Sequence, residues 1–253
     1  MQSQPAREPL TLCPPAAAPA SDAVIRDIIE WDVLNWSRAL PFWAEALGRY
    51  DPACHTVLAV GERRGGLSLW FALQGFRVVC TDIRPPGEAA RELHRAYGVE
   101  GRIEYETVDA LRMPFADRCF DIVACKSVIG GLKKVYADPS TRSLETQAMA
   151  LREIHRVLKP RGCWLGAENM RGTLLHRKGR EWGRITPGWR YLATAEWPVL
   201  LQPFRAHEIG YFGFLPTRFG GERLRRACYR INCWIEPLLR PSWNYIAFIR
   251  AFK

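Results

Sequence analysis

The chain has 253 residues, 48% hydrophobic and 11% aromatic, with 36 Lys and Arg against 26 Asp and Glu for a formal net charge of +10. That length and apolar content suffice for one full core and exclude a polyelectrolyte tail as the main body. All apolar runs fall short of the roughly 18 residues of a membrane-crossing helix, and the N-terminus lacks a basic-then-apolar leader, so a cytoplasmic location is expected.

In chain order, residues 1–20 contain the Pro/Ala tract Pro14 to Pro19 and are expected to be a disordered tail. Residues 21–50 form a helical cap in this reading, with one or two helices over Ser21 to Leu47 and Ser21 or Asp22 as N-cap. Pro41 would open the second helix. Trp36 and Trp43 would share a face if the helix ran through, and the segment is expected to pack on the domain and cover its ligand site. Residues 51–253 then form one domain.

Thr56 to Val60 is a short apolar strand, followed by a turn holding Gly61, Gly65 and Gly66. Leu67 to Leu73 has helical periodicity, Gly75 stops it, and Val78 to Thr81 is a second strand ending at Asp82. Asp82 lies 21 positions after Gly61, the spacing at which a strand-end carboxylate meets the ribose of a nucleotide held by the glycine turn. Arg102 to Thr107 is the third strand, with Asp109-Ala110 just beyond it, and Phe120 to Lys126 is the fourth. A long helix follows, with Leu144, Ala148, Leu151, Ile154 and Leu158 on one face and Pro160 as its stop. Cys163 to Glu168 is the fifth strand.

The basic segment Arg171 to Trp182 reads as a loop on the ligand side of the sheet, where His176, Arg177, Lys178 and Arg180 are placed to clamp an anion. Trp189 to Phe204 reads as a helix broken near Pro198, and Ala206 to Phe214 and Trp243 to Phe252 as the last two strands. Between them, Glu222 to Glu236 is an amphipathic helix with Leu224, Cys228, Ile231 and Ile235 on one side and Arg223, Arg226 and Arg230 on another. Its apolar face is expected on the sheet, with contact to an anionic membrane as the lesser alternative. Residues 1–170 hold 21 basic and 21 acidic side chains while 171–253 hold 15 and 5, so the whole excess sits in the last third. The eight cysteines form no CxxC pair, which gives no zinc or other metal site and no disulfide framework.

These elements in this order resemble the class I S-adenosylmethionine-dependent methyltransferases over roughly residues 55–253. The resemblance rests on Gly61 and Gly65, Asp82, Asp109-Ala110 and the Leu-Lys-Pro-Arg-Gly run before the fifth strand. Ala59 stands where the family has an acid, and Arg63 where it has its middle glycine. The implied fold is α/β: a Rossmann-like, seven-stranded, mostly parallel sheet with helices on both faces and an N-terminal helical segment. The implied cofactor is S-adenosyl-L-methionine, held by Gly61, Glu62, Arg63, Gly65, Asp82, Ile83, Asp109, Ala110 and Lys126. His176, Lys126 and Glu168 are the candidates for proton transfer or orientation, since an alcohol acceptor must lose its proton. The implied activity is methyl transfer to a small molecule or glycan, anionic acceptors included and most simply at oxygen. An RNA substrate and a non-catalytic scaffold are the alternatives.

Overall fold

The computed structural model describes residues 22–132, 144–182 and 189–253, so the Pro/Ala tail lies outside the described residues. Seven strands form one sheet: β1 (Thr56–Val60), β2 (Arg77–Asp82), β3 (Ile103–Thr107), β4 (Phe120–Lys126), β5 (Leu158–Asn169), β6 (Ala206–Phe212) and β7 (Ile246–Phe252). Their order is β3-β2-β1-β4-β5-β7-β6. The first five run parallel, and β7 pairs antiparallel with β5 and β6. β4 is buried along its whole length, as expected for the apolar run Phe-Asp-Ile-Val-Ala-Cys-Lys at the centre of a sheet covered on both faces.

Alternation along the strands separates two cores. Val57, Ala59, Ile122 and Ala124 face α1 (Asp22–Ile29), α2 (Val33–Trp36), α3 (Ala39–Leu47) and α4 (Gly66–Leu73). α5 (Glu88–Ala96) flanks that layer through Leu93. Leu58, Val60, Val123 and Cys125 face α6 (Leu144–Val157) and the short α8 (Trp197–Leu200). Two further helices, α7 (Leu174–Trp182) and α9 (Glu222–Ile235), lie beyond β5 and β6.

Several expectations need correction. The N-terminal segment is three helices, because Glu30 (φ 72°) and Asp32 (φ 46°) turn the chain between α1 and α2. Pro41 lies inside α3 rather than opening it. Trp36 and Trp43 share no continuous helix, and instead converge on the Phe248 ring, each with a centroid distance of 6.4 Å. α6 ends at Val157, and Pro160 already belongs to β5, which begins where Leu158 pairs with Phe120. The segment 171–182 is largely the helix α7 rather than a loop. Trp189 to Phe204 is not a long helix. Leu192 bridges Met170 in extended conformation, and α8 begins at Trp197 with Pro198 in its first turn, where a missing N–H costs nothing. α9 does not lay its apolar face on the sheet: Leu224, Ile231 and Trp234 are exposed, and Asn232 is its buried residue.

Trp43 is fully buried between Trp70, at 5.9 Å, and Phe248. Replacing it with Ala should therefore cost about 3–5 kcal/mol of unfolding free energy, measurable by urea titration.

Candidate active site

The strand order reverses between β1 and β4, and ligands of open α/β sheets bind over the carboxyl ends at such a point. A cavity of about 790 Å³ opens there. Gly61, Glu62, Arg63 and Asp82 line it, with Lys126 and Ser127 at the end of β4. Trp31, Trp36, Trp189, Tyr191, Phe214 and Tyr245 give it aromatic walls.

The glycine turn is shaped by steric need. Gly61 sits at φ 74°, and a Cβ there would lie 2.4 Å from Val128 Cγ2, so only glycine serves. Gly65 also has positive φ, whereas Arg63 does not, so the middle position of the motif makes no demand for glycine. Arg63 is exposed at the cavity wall. Glu62 is buried, and its Oε2 accepts from the Leu67 and Ser68 N–H groups at 2.8 and 3.1 Å, satisfying two free donors of α4. Burial pushes its carboxyl up to about 7, against the pull of Lys126. Gly65 is held from below by His94: the ring Nε2 donates to its carbonyl, and Tyr105 Oη donates to Nδ1, both at 2.8 Å.

At the end of β4, Lys126 Nζ donates to the carbonyls of Ile28 and Ile29 at 3.1 and 2.8 Å, and to Glu30 Oε1 at 3.5 Å. It lies 4.2 Å from the Trp31 ring centroid. Burial lowers its pKa. Its ammonium thus caps the carbonyl end of α1 and leaves Glu30 and Trp31 on the cavity wall. Ser127 follows at φ 58°, a costly conformation for a residue with a side chain, and its hydroxyl accepts from Asn169 Nδ2 at 2.6 Å.

Glu168 is fully buried and outside the cavity lining. Its Oε1 accepts from Val128 and Ile129 N–H at 2.8 and 2.7 Å, and Oε2 from Gly130 N–H at 3.3 Å. Burial raises its carboxyl to about 7. These bonds make it the anchor of the loop after β4. His176 lines the cavity, but both ring nitrogens are engaged. Thr173 N–H donates to Nδ1 at 2.9 Å, so Nε2 carries the proton and donates to the Phe214 carbonyl at 2.8 Å. The ring joins α7 to the segment after β6, and its acceptor lone pair is spent.

Asp82 lines the cavity, and its Oδ1 accepts from Arg84 N–H at 3.2 Å. Ile83 is exposed beside it. Asp109 and Ala110 follow β3, outside the cavity lining, with Asp109 Oδ1 accepting from Leu111 N–H at 2.8 Å. They adjoin Asp82 through Val108, whose N–H donates to the Asp82 carbonyl at 2.9 Å.

Asp32, Asn35 and Tyr245 form a buried network that sequence reading missed. Tyr245 Oη donates to Asp32 and accepts from Asn35 Nδ2 at 2.7 Å. Asp32 Oδ1 also accepts from Thr217 N–H at 2.8 Å and from its hydroxyl at 2.6 Å. Asp32 and Asn35 are close in the chain, but Thr217 and Tyr245 lie more than 180 residues away, so no local pattern marks the network. Among the described residues no cluster of side chains suits a metal ion.

With that geometry in place, residues 58–165 match the family model described as a methyltransferase domain. That match is similar in kind to the class I S-adenosylmethionine-dependent methyltransferases that the sequence resembles. Methyltransferase GfsG from Streptomyces halstedii is 32% identical over 125 residues, 48% of this chain and 41% of that protein. The ubiquinone/menaquinone biosynthesis C-methyltransferase UbiE of Klebsiella pneumoniae is 33% identical over 111 residues, 42% of this chain and 39% of that one. The chain therefore spans about two fifths of the length of these curated relatives. Geranyl diphosphate C-methyltransferase from Streptomyces coelicolor A3(2) has the same fold, with a TM-score of 0.59 at 13% identity over 85% of this chain and 78% of its own.

The two raised carboxyls set a pH dependence. Glu62 and Glu168 hold their protons to about pH 7 when folded, against an ordinary 4.5. Between those values the folded state binds protons that the unfolded chain has released, so stability falls as pH rises and levels off above. Urea titrations at pH 5 and pH 8 should show the decline, with a shallower slope in Glu168→Gln.

Proposed function

We propose that this chain transfers the methyl group of S-adenosylmethionine to a small organic acceptor with a planar or apolar body. The observation that carries the reading is one cavity lined both by the glycine turn and Asp82 and by a set of aromatic side chains. The residues suit the cofactor. Asp82 lines the cavity and has acceptor capacity left for ribose hydroxyls, since the one N–H it takes is on Oδ1. The Gly61 turn lets the backbone approach closely, and Ile83 with Asp109-Ala110 would border the base. When bound, the cofactor supplies a methyl group on a sulfonium.

The protein's own part is alignment and exclusion of water. Trp31, Trp36 and Tyr191 would hold the flat body of the acceptor, while Tyr245 and His176, both tied into bonds, keep the walls rigid. Lys126 positions the N-terminal helices over the site. For a hydroxyl acceptor, and hence O-methylation, Glu30 is the group we assign to take the proton. Its carboxylate lies on the cavity wall with loose pairings only, 3.5 Å to Lys126 and 3.8 Å to Arg64. The aromatic lining favours a ring-bearing acceptor over a purely polar one, so a glycan would be recognised through the faces of its rings.

Calorimetry with S-adenosylmethionine tests the reading, and absence of binding at millimolar cofactor would overturn it. Asp82→Ala should weaken that binding by about 1–3 kcal/mol, roughly 5- to 150-fold, the range for losing hydrogen bonds to a charged group.

A further inference from the structure

α9 wears its amphipathic pattern inside out. Asn232 is fully buried, donating to the Leu215 carbonyl at 2.8 Å and to Asn35 Oδ1 at 3.1 Å. Glu236, at the helix end, accepts from Gly213 N–H and pairs with Arg38, both at 2.7 Å. Tyr229 lies against the same Arg38 guanidinium. At about 100° per residue, these three inward side chains occupy a sector roughly 60° wide. Leu224, Ile231 and Trp234 lie well around the helix from it, facing water, with half-buried Cys228 between. Leu224 is 56% exposed, Ile231 44% and Trp234 76%. Phe219 ahead of the helix and Leu238 behind it extend the apolar row, at 58% and 80% exposed. Arg223 and Arg230, both exposed, border the row on the helix, and exposed Arg240 follows it in the chain.

We infer that this face docks the protein on an anionic membrane surface, with Leu224, Ile231 and Trp234 entering the interface and the arginines meeting lipid phosphates. An apolar stripe rimmed by cations is the chemistry of an interfacial helix. Charge complementarity decides between occupants. A two-fold contact with a second copy would set these arginines against themselves, in a region where 15 basic side chains face only 5 acidic ones. Negatively charged headgroups neutralise them. Phe219 belongs both to the apolar row and to the cavity wall, and exposed Leu175 lines the same cavity. Docking therefore sets the cavity mouth at the lipid interface, where an amphiphilic acceptor dissolved in the bilayer enters without crossing water. This last step rests on the proposed methyl transfer; the docking itself does not.

Cosedimentation of the full chain with phosphatidylcholine vesicles, with and without phosphatidylglycerol, tests the docking. Binding should require the anionic lipid and weaken with added salt. The double variant Ile231→Asp, Trp234→Ser should lower vesicle affinity by about tenfold or more, because it removes inserted apolar area, with thermal melting unchanged. No association with anionic vesicles, or undiminished binding by the variant, would overturn the proposal. So would light scattering that shows a dimer dissolved by the same two substitutions, which assigns the face to a second copy. Vesicle binding without cofactor binding would leave the docking intact and remove only the catalytic reading.

Discussion

A buried ammonium at the end of the central strand ties the two halves of the site together. α1 finishes with carbonyls that have no partner inside the helix, and Lys126 supplies donors to two of them. The contact is close on the other side as well: a Cβ on Gly66 would stand 2.3 Å from the Ile28 carbonyl oxygen. The N-terminal helices are thus seated directly on the glycine turn. From that seat the chain reverses through Glu30 and Asp32, both at positive φ, which brings Trp31 over the Lys126 ammonium. Removing one partner would leave a buried charge unpaired, a far larger penalty than the net worth of the contact.

The loop after β4 obeys a related logic. Its backbone turns at Ser127 in a strained conformation, and the three N–H groups that follow all converge on one buried carboxylate. Glu168 thereby does for a loop what Glu62 does for the start of α4. Both carboxyls are expensive to bury, and both are retained where backbone donors would otherwise go unsatisfied. The glycine turn and the loop after β4, which both border the cavity, inherit their shape from these two anchors. Ordinary packing would leave such a loop free to move.

The sheet was legible because its signals are local. β1 and β4 appear in the sequence with their observed limits, as short apolar runs bounded by glycine or polar residues. What escaped was set by partners distant in the chain. Trp189 to Ala193 carries helical composition, yet Arg190 N–H donates to the Gly130 carbonyl and Leu192 pairs with Met170, which keeps the segment extended. The orientation of α9 was hidden for the same reason: Arg38, Asn35 and Gly213 choose its inward side, and none is a neighbour in sequence. At the site, Gly61, Glu62, Arg63 and Asp82, read from the glycine turn and the end of the second strand, share one cavity with Lys126, read from the end of the fourth, whereas Gly65, Ile83, Asp109 and Ala110 are outside its lining. The bonding state of His176 had no sequence signal, because its acceptor and donor are fixed by Thr173 and Phe214 only after folding.

The stretch recognised by the family model begins two residues into β1, well after the N-terminal helices. Those helices nevertheless contribute Ile28, Trp36, Trp43 and Leu47 to the core on one side of the sheet. A piece that began at the matched stretch and kept the rest of the chain would lay bare the Phe248 and Trp70 rings and leave the Lys126 amine without its two carbonyl partners. The smallest autonomous body of this protein is therefore larger than its most recognisable part.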